Sequence, residues 1–378
     1  MYEETTVWGL KEAFNFSQSI ISLDTRSALV SDAFLKTFGS IVDMWMSLAI
    51  SLLGVFGNII TLVVFYRLGF RDTVNITMGA ITAWDLVRVL CGSVHRLYGP
   101  VSLVSEVVGL SWKNVTLVNI VYMHIVAGNV SYVIGGYVAL ERCLCVSFPF
   151  KVKSIITPRL TMAVCLTISI LVFASQFPIF LVFEYQWVYS QLYGQDVAIY
   201  QYTHFYSVHG QKFMESYRYF SFLYPLLSLS FMVVSTVIIS YHLQKATDFR
   251  NKVSAATKHQ DGTCSELSTR DRQVVKMLLT VIALYMIVLV PRVAQFIAML
   301  CEAEFFVLRF YNNLFWVISN SVSFLDILNS TCNLFIFYSM SSRFRYCART
   351  MASHFLCCTA SPKVKQDNSR YNVEKNSF

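Results

Sequence analysis

Apolar residues come in long blocks along this chain, separated by short polar segments. Between Asp43 and Arg67 lie 23 residues without a charged side chain; 27 lie between Lys113 and Glu141, 24 between Arg159 and Glu184, and 26 between Arg218 and Lys245. A helix needs about 20 apolar residues to cross the hydrocarbon core of a bilayer, so each block is long enough to span. Three further blocks qualify once a few internal charges are accepted: 74–98 with Asp85, Arg88, His95 and Arg96, 277–300 with Arg292, and 311–338 with Asp326. The pattern predicts seven membrane-spanning helices, near 43–66, 74–98, 115–143, 158–184, 217–243, 272–300 and 311–338. The expected fold class is an all-α membrane protein, a seven-transmembrane helix bundle with a short amphipathic helix after the last span.

Composition agrees with lipid as the solvent. Of the 378 residues 55% are hydrophobic and 14% charged, against about 25% charged in a soluble domain. Lys and Arg set the orientation. With the amino terminus outside, the inner segments carry 20 of the 30 and the outer segments eight, while Arg88 and Arg292 lie inside spans. Positive charge stays in the cytoplasm, so the amino terminus is expected outside. The net charge of +8 then reflects topology and attraction to anionic lipid heads, not nucleic-acid binding. No removable signal peptide is evident, and the first span is expected to act as the targeting signal. The expected organisation is an extracellular segment over 1–41, a seven-helix domain over 42–340, an amphipathic surface helix over 341–356 and a disordered cytoplasmic tail over 357–378. Such a chain belongs in the plasma membrane as a multi-pass protein.

Several function classes lack their signatures. There is no P-loop, no HExxH and no GxSxG, so no enzyme is expected. No paired Gly/Pro-interrupted half-repeats and no filter-like loop occur, which leaves a transporter or channel as the alternative from another class. Polar groups inside hydrocarbon are costly and mark function by default. They fall in a series: Gly57-Asn58 in the first span, Asp85 in the second, Glu141-Arg142-Cys143 with Val146 and Pro149 at the end of the third. Pro178, Pro225 and Pro291 follow in the fourth, fifth and sixth, and Asn329-Ser330-Thr331-Cys332-Asn333-Leu334-Phe335-Ile336-Phe337-Tyr338 in the seventh, then Phe344-Arg345 in a basic stretch.

This series resembles the rhodopsin-like (class A) G-protein-coupled receptors over residues 42–350. Glu141-Arg142-Cys143 looks like that family's acidic-Arg-Tyr motif, and Asn333 to Phe337 like its Asn-Pro-x-x-Tyr motif, with Leu334 and Phe337 as departures. The runs 141–155 and 268–279 are similar to molluscan chemosensory receptors, a group itself similar to nematode chemoreceptors and FMRFamide-type peptide receptors. The resemblance implies a heterotrimeric G protein as inner partner and an extracellular small-molecule or peptide ligand. The expected function is chemosensory, with a neuropeptide receptor of the same fold as the alternative.

The resemblance also distributes roles. Glu141, Arg142, Asp271, Pro149 and Asn333 are expected to form the coupling switch, with Asp271 reaching Arg142 across the inner face. The bland alternative is that Glu141 and Arg142 mark the lipid–water boundary. Asp85, Ser131, Asn329, Ser330 and Asn333 fall at the family's sodium-site positions and would hold an allosteric ion; otherwise Asp85 is neutralised by Arg88, one turn away. No other cofactor is expected. Arg88, His124, Arg292 and Asp326 are candidates to line the ligand cavity, and two basic groups among aromatics suit a ligand with an acidic group. The alternative is that Asp326 pairs with Arg88 or Arg292 as a strut. His124 stands where amine receptors keep Asp, and Ile327 where opsins keep the retinal Lys. Leu289 replaces the sixth-span Trp, Tyr285 its neighbouring Phe, and Val233 the fifth-span Tyr that meets Arg142.

The family's bridge from the third helix to the second outer loop lacks both cysteines: Leu117 holds the helix position and 185–216 contain no Cys. Packing through the Tyr-rich run 185–207 is expected to order that loop; Cys91 and Cys301 both lie toward the outside and are expected as free thiols, with a bridge between them as the alternative. Asn15 and Asn114 begin outward sequons that could carry glycans. Cys347, Cys357 and Cys358 are palmitoylation candidates, or else inert interfacial thiols.

Overall fold

The computed structural model describes residues 29–148, 155–256, 266–307 and 309–359, with the backbone alone at 211, 243, 246–256, 266–278, 340, 352 and 354–359. Helix starts carry the caps that the sequence offers. Ser31 accepts from the Phe34 amide ahead of a short helix, Asp32–Phe38, which runs through wide π-helical turns, Gly39–Met46, into the first span, Ser47–Leu68. Asp72 caps the second span, Thr73–Arg96, by accepting from the Val74 amide. Two outer helices follow, Tyr98–Val104 and Glu106–Thr116, the latter capped by Ser105. A π-helical turn, Leu117–Val121, leads from them into the third span, Tyr122–Ser147.

Thr157 caps the fourth span, Pro158–Gln176, with its proline in the first turn, where the missing N–H costs nothing. The span ends in a tighter 3-10 turn, Phe177–Leu181, which contains Pro178. The fifth span, His204–Ala256, and the sixth, Glu266–Cys301, carry Pro225 and Pro291 inside continuous helix. The seventh is Asn312–Met340, and the surface helix is Ser342–Thr359.

Six of these helices are long and apolar enough to cross a membrane by composition alone. The seventh falls short because Ser319, Ser323, Asp326, Ser330 and Asn333 recur along it every three or four residues. That spacing puts them on one helix face. The helix packs against the first, second and sixth spans, so the polar stripe is buried in protein instead of lipid. The lipid side is apolar, as Leu53, Phe56 and Val63 of the first span show by their exposure. The core gathers Val130, Ile134 and Val138 of the third span with Met232, Val281, Ile282 and Leu289.

The second outer loop is a feature that the apolar pattern did not foretell. β1 (Phe183–Ser190) and β2 (Gln195–Tyr202) form an antiparallel hairpin, pairing Phe183 with Tyr202 and Ser190 with Gln195. Gly194 turns the chain at φ 64°, a backbone region that glycine enters without strain. In place of a disulfide, the outer edge of β2 is pinned by hydrogen bonds to helix Glu106–Thr116. The Ala198 amide donates to Ser111 Oγ at 3.2 Å, and Asn114 Nδ2 donates to the Ala198 carbonyl at 2.8 Å. Helix and loop are thus joined where the family's bridge would join them, and the strand edge is covered. Cys91 and Cys301 are free thiols.

Candidate functional site

The second, third, sixth and seventh spans aim their polar side chains at one another in the middle of the bundle. Asp85 and Asp326, both fully buried, are the two acceptor centres. Asp85 takes Ser330 Oγ at 3.0 Å on Oδ1, and Asn333 Nδ2 at 2.7 Å and the Tyr285 hydroxyl at 3.3 Å on Oδ2. Asp326 accepts from the Tyr132 hydroxyl on Oδ1 and pairs through Oδ2 with Arg292 and, at 3.5 Å, with Arg88. Arg88 also donates to the Tyr132 oxygen at 2.9 Å and to Ser330 Oγ at 3.5 Å, with its Cζ 4.8 Å from the centre of the Tyr132 ring. Ser330 therefore joins the two centres into one network. Unpaired charges in hydrocarbon would cost several kcal/mol each, so the network must form for the bundle to close.

The backbone makes room for it. A Cβ added at Gly128 would meet Arg88 Nη2 at 1.9 Å and its Cζ at 2.4 Å, so only glycine lets the guanidinium cross to the third span. His124, one turn outward, is buried, and its Nδ1–H donates to the Arg88 carbonyl at 2.9 Å. That bond supports the second span's backbone. Arg96 ties the outer end: it donates to Asp43 Oδ1 at 2.5 Å and to Ser323 Oγ at 3.2 Å, joining three spans.

Three of the four cavity candidates, Arg88, Arg292 and Asp326, meet as partners of one another, the strut arrangement given as the alternative. Asp326 pairs with both arginines, and Arg88 turns to Asp326 instead of ion-pairing with Asp85. The five sodium candidates are only partly assembled. Ser330 and Asn333 reach Asp85; the buried Ser131 hydroxyl lies beside it, and Asn329 Nδ2 has no hydrogen-bond partner among the described residues. A sodium ion needs oxygen acceptors. In this arrangement Asp85 faces donors on both oxygens, and Arg88 already shares Ser330, so the residues do not fit the ion without turning.

At the inner end, Arg142 pairs with the fully buried Glu141 and donates to Thr73 Oγ1 at 3.2 Å, at the foot of the second span. Glu141 Oε2 and Arg142 Nε are buried without hydrogen-bond partners among the described residues. Pro149 and the Asp271 side chain lie outside the described residues, as do Asn15 and the Cys357 and Cys358 side chains. Cys347 is half-buried and packs against the core. Asn114 is half-buried, and its Nδ2, the atom a glycan would occupy, is the one that holds Ala198.

Two departures gain a physical reason. Phe337 is buried edge-on against Phe65 at 5.3 Å and beside Phe344 at 5.8 Å, an all-apolar setting with no need for a hydroxyl. Leu289 is fully buried core. A third is corrected: Val233 is 45% exposed on the lipid side, so it does not face Arg142. The inward positions of that helix are Met232, Ser235 and Ile239, one residue out of phase. Sequence reasoning missed Tyr132 as a site residue and treated Tyr285 only as a departure. An aromatic residue in an apolar helix reads as core, and both rings do pack there, edge-to-face at 6.0 Å.

No curated protein matches the chain. Residues 45–355 match the family model of the serpentine type 7TM GPCR chemoreceptor Srw, which takes in all seven spans and the network between them. The chain belongs to that family, and it is a chemosensory G-protein-coupled receptor, a multi-pass protein of the plasma membrane.

Proposed function

We propose that this chemoreceptor switches as rhodopsin-like receptors do, with an extracellular ligand biasing the position of the sixth span and a heterotrimeric G protein reading the inner face. One observation carries the reading. The sixth span is tied to its neighbours through Tyr285 to Asp85, Arg292 to Asp326 and, further out, Gln295 to Ser319, and the first two ties lie in the buried network toward which an outside ligand would descend. Breaking them costs little if a ligand supplies replacement partners, so a two-state equilibrium can be shifted by binding. Inside, Glu141 and Thr73 hold Arg142, the charge a G protein would meet. The similarity of 141–155 and 268–279 to molluscan chemosensory and FMRFamide-type receptors supports both small molecules and short peptides as ligands. The test is expression with a panel of G proteins, screened against small acids, amines, amino acids and short amidated peptides. Ligand-driven nucleotide exchange supports the proposal; ligand-driven ion flux without a G protein overturns it.

A further inference from the structure

The carboxylate of Asp326 is shared by two guanidinium groups that are not held alike. The Arg88 side chain is 1% exposed, fills the gap at Gly128, and is held by Tyr132 and Ser330 as well as by Asp326. The Arg292 side chain keeps 16% exposure and its Cζ lies 5.8 Å from the centre of the Tyr132 ring; the Nε atoms of both arginines are buried without a hydrogen-bond partner among the described residues. The direction of that exposure follows from helix phase. Ile287, Val290, Ile297 and Leu300 turn to the lipid side, 61%, 54%, 47% and 72% exposed, and Arg292 lies on the opposite face with Tyr285 and Gln295. Its open part therefore looks into the bundle. Tyr217 of the fifth span stands near it and meets the Tyr122 ring edge-on at 5.9 Å. Tyr122 in turn stacks at 5.7 Å on Phe183, the first residue of the outer hairpin. An aromatic path thus leads from the outer surface to the more exposed of the two guanidinium groups.

We infer that Arg292 binds an anionic group of the ligand, a carboxylate above all, with an aromatic or apolar body against Tyr217 and Tyr122, and that Asp326 is the resident counter-ion which the ligand displaces. The inference rests on the receptor reading above and adds the ligand class and its means of action. A guanidinium accepts a carboxylate in a planar two-point geometry, so a ligand acid competes directly with Asp326. When it wins, Asp326 keeps Arg88 and Tyr132, and no charge is left buried alone. Pairing is conserved on both sides of the exchange, which removes the main penalty of opening an ion pair in hydrocarbon. The sixth span loses its ion pair to the seventh, and the Gln295–Ser319 and Tyr285–Asp85 hydrogen bonds are left to hold it.

The experiment uses the full chain, epitope-tagged, in membranes with G protein, and measures basal nucleotide exchange at matched surface density. Asp326→Asn removes the counter-ion charge and is expected to raise basal exchange by about tenfold, the size of an ordinary allosteric coupling; Asp326→Glu is expected to stay near wild type. Carboxylate agonists found by screening phenylacetate, 3-phenylpropionate and indole-3-acetate with their neutral amides are expected to lose their effect in Arg292→Gln. Glu141→Gln serves as the control, because it loosens Arg142 at the inner end without touching Asp326. Raised exchange in Glu141→Gln with Asp326→Asn flat overturns the counter-ion inference and leaves the receptor reading intact. A carboxylate agonist of unchanged potency in Arg292→Gln also overturns it. Both variants flat on every G protein would overturn the coupling itself.

Discussion

The Tyr285 hydroxyl donates to Asp85 Oδ2 at 3.3 Å, a single hydrogen bond between the sixth and second spans at the level where Asn333 of the seventh also meets that carboxylate. Three spans converge on one buried group, and only the sixth reaches it with an aromatic side chain that also packs on Tyr132. The bond is long and the ring contact apolar, so the sixth span is held firmly enough to define a resting state and weakly enough to leave it.

Replacing Tyr285 by Phe removes the hydroxyl and keeps the ring. The expected cost is about 1 kcal/mol, the net worth of one such hydrogen bond, taken from the resting state. Basal nucleotide exchange should rise several-fold, about what that energy gives, with normal surface delivery. Exchange at or below the wild-type level would show that the bond does not restrain the sixth span.

At Gly128 even a methyl group conflicts with Arg88. Gly128→Ala is expected to cost about 3 kcal/mol or more, since it overpacks a rigid core and pushes a guanidinium off its partners. Lower thermal stability in detergent, together with reduced surface delivery, is the expected readout. A stable, well-delivered variant would mean that Arg88 has another way to be satisfied.

Restoring the family's tyrosine at Phe337 should harm this chain. The new hydroxyl would sit among Phe65 and Phe344, and burying an unpaired hydroxyl costs about 1–3 kcal/mol. A fall in the unfolding midpoint of Phe337→Tyr is the expected result; a rise would place a polar partner there.

The outer hairpin depends on hydrogen bonds and not on a disulfide. Reducing agent should leave ligand response unchanged in the wild type. Asn114→Ala should loosen β2, seen as faster hydrogen exchange at the amides of Val197 to Ile199 and as weaker ligand potency. Loss of response on reduction alone would point to a bridge that the free thiols Cys91 and Cys301 do not show.

Much of this was legible before the structure, and the reasons are physical. Charges in hydrocarbon are rare and must be paired, so Asp85, Arg88, Arg292 and Asp326 identified themselves. The partner of each charge was not legible, because Arg88 can reach either carboxylate and only the gap at Gly128 sends it to Tyr132 and Asp326. Tyr132 and Tyr285 were hidden by their rings. Val233 was placed one residue out of phase, and on a helix that is a rotation of about 100°, enough to exchange core for lipid. The hairpin did leave a signal: β1 sets aromatic Phe183, Tyr185, Trp187 and Tyr189 at every second position, and β2 repeats the alternation at Tyr200-Gln201-Tyr202 beyond the Gly194 turn, the pattern of a strand pair. It was read only as a Tyr-rich run.

The central claim is that an outside chemical cue reaches a G protein through Arg142 at the inner end of this network. The most direct measurement is nucleotide exchange by the epitope-tagged Arg142→Ala receptor, against wild type at equal surface density and with the same agonist. The account expects exchange to be lost while agonist binding and surface delivery persist; agonist-driven exchange of wild-type size in the variant would contradict it.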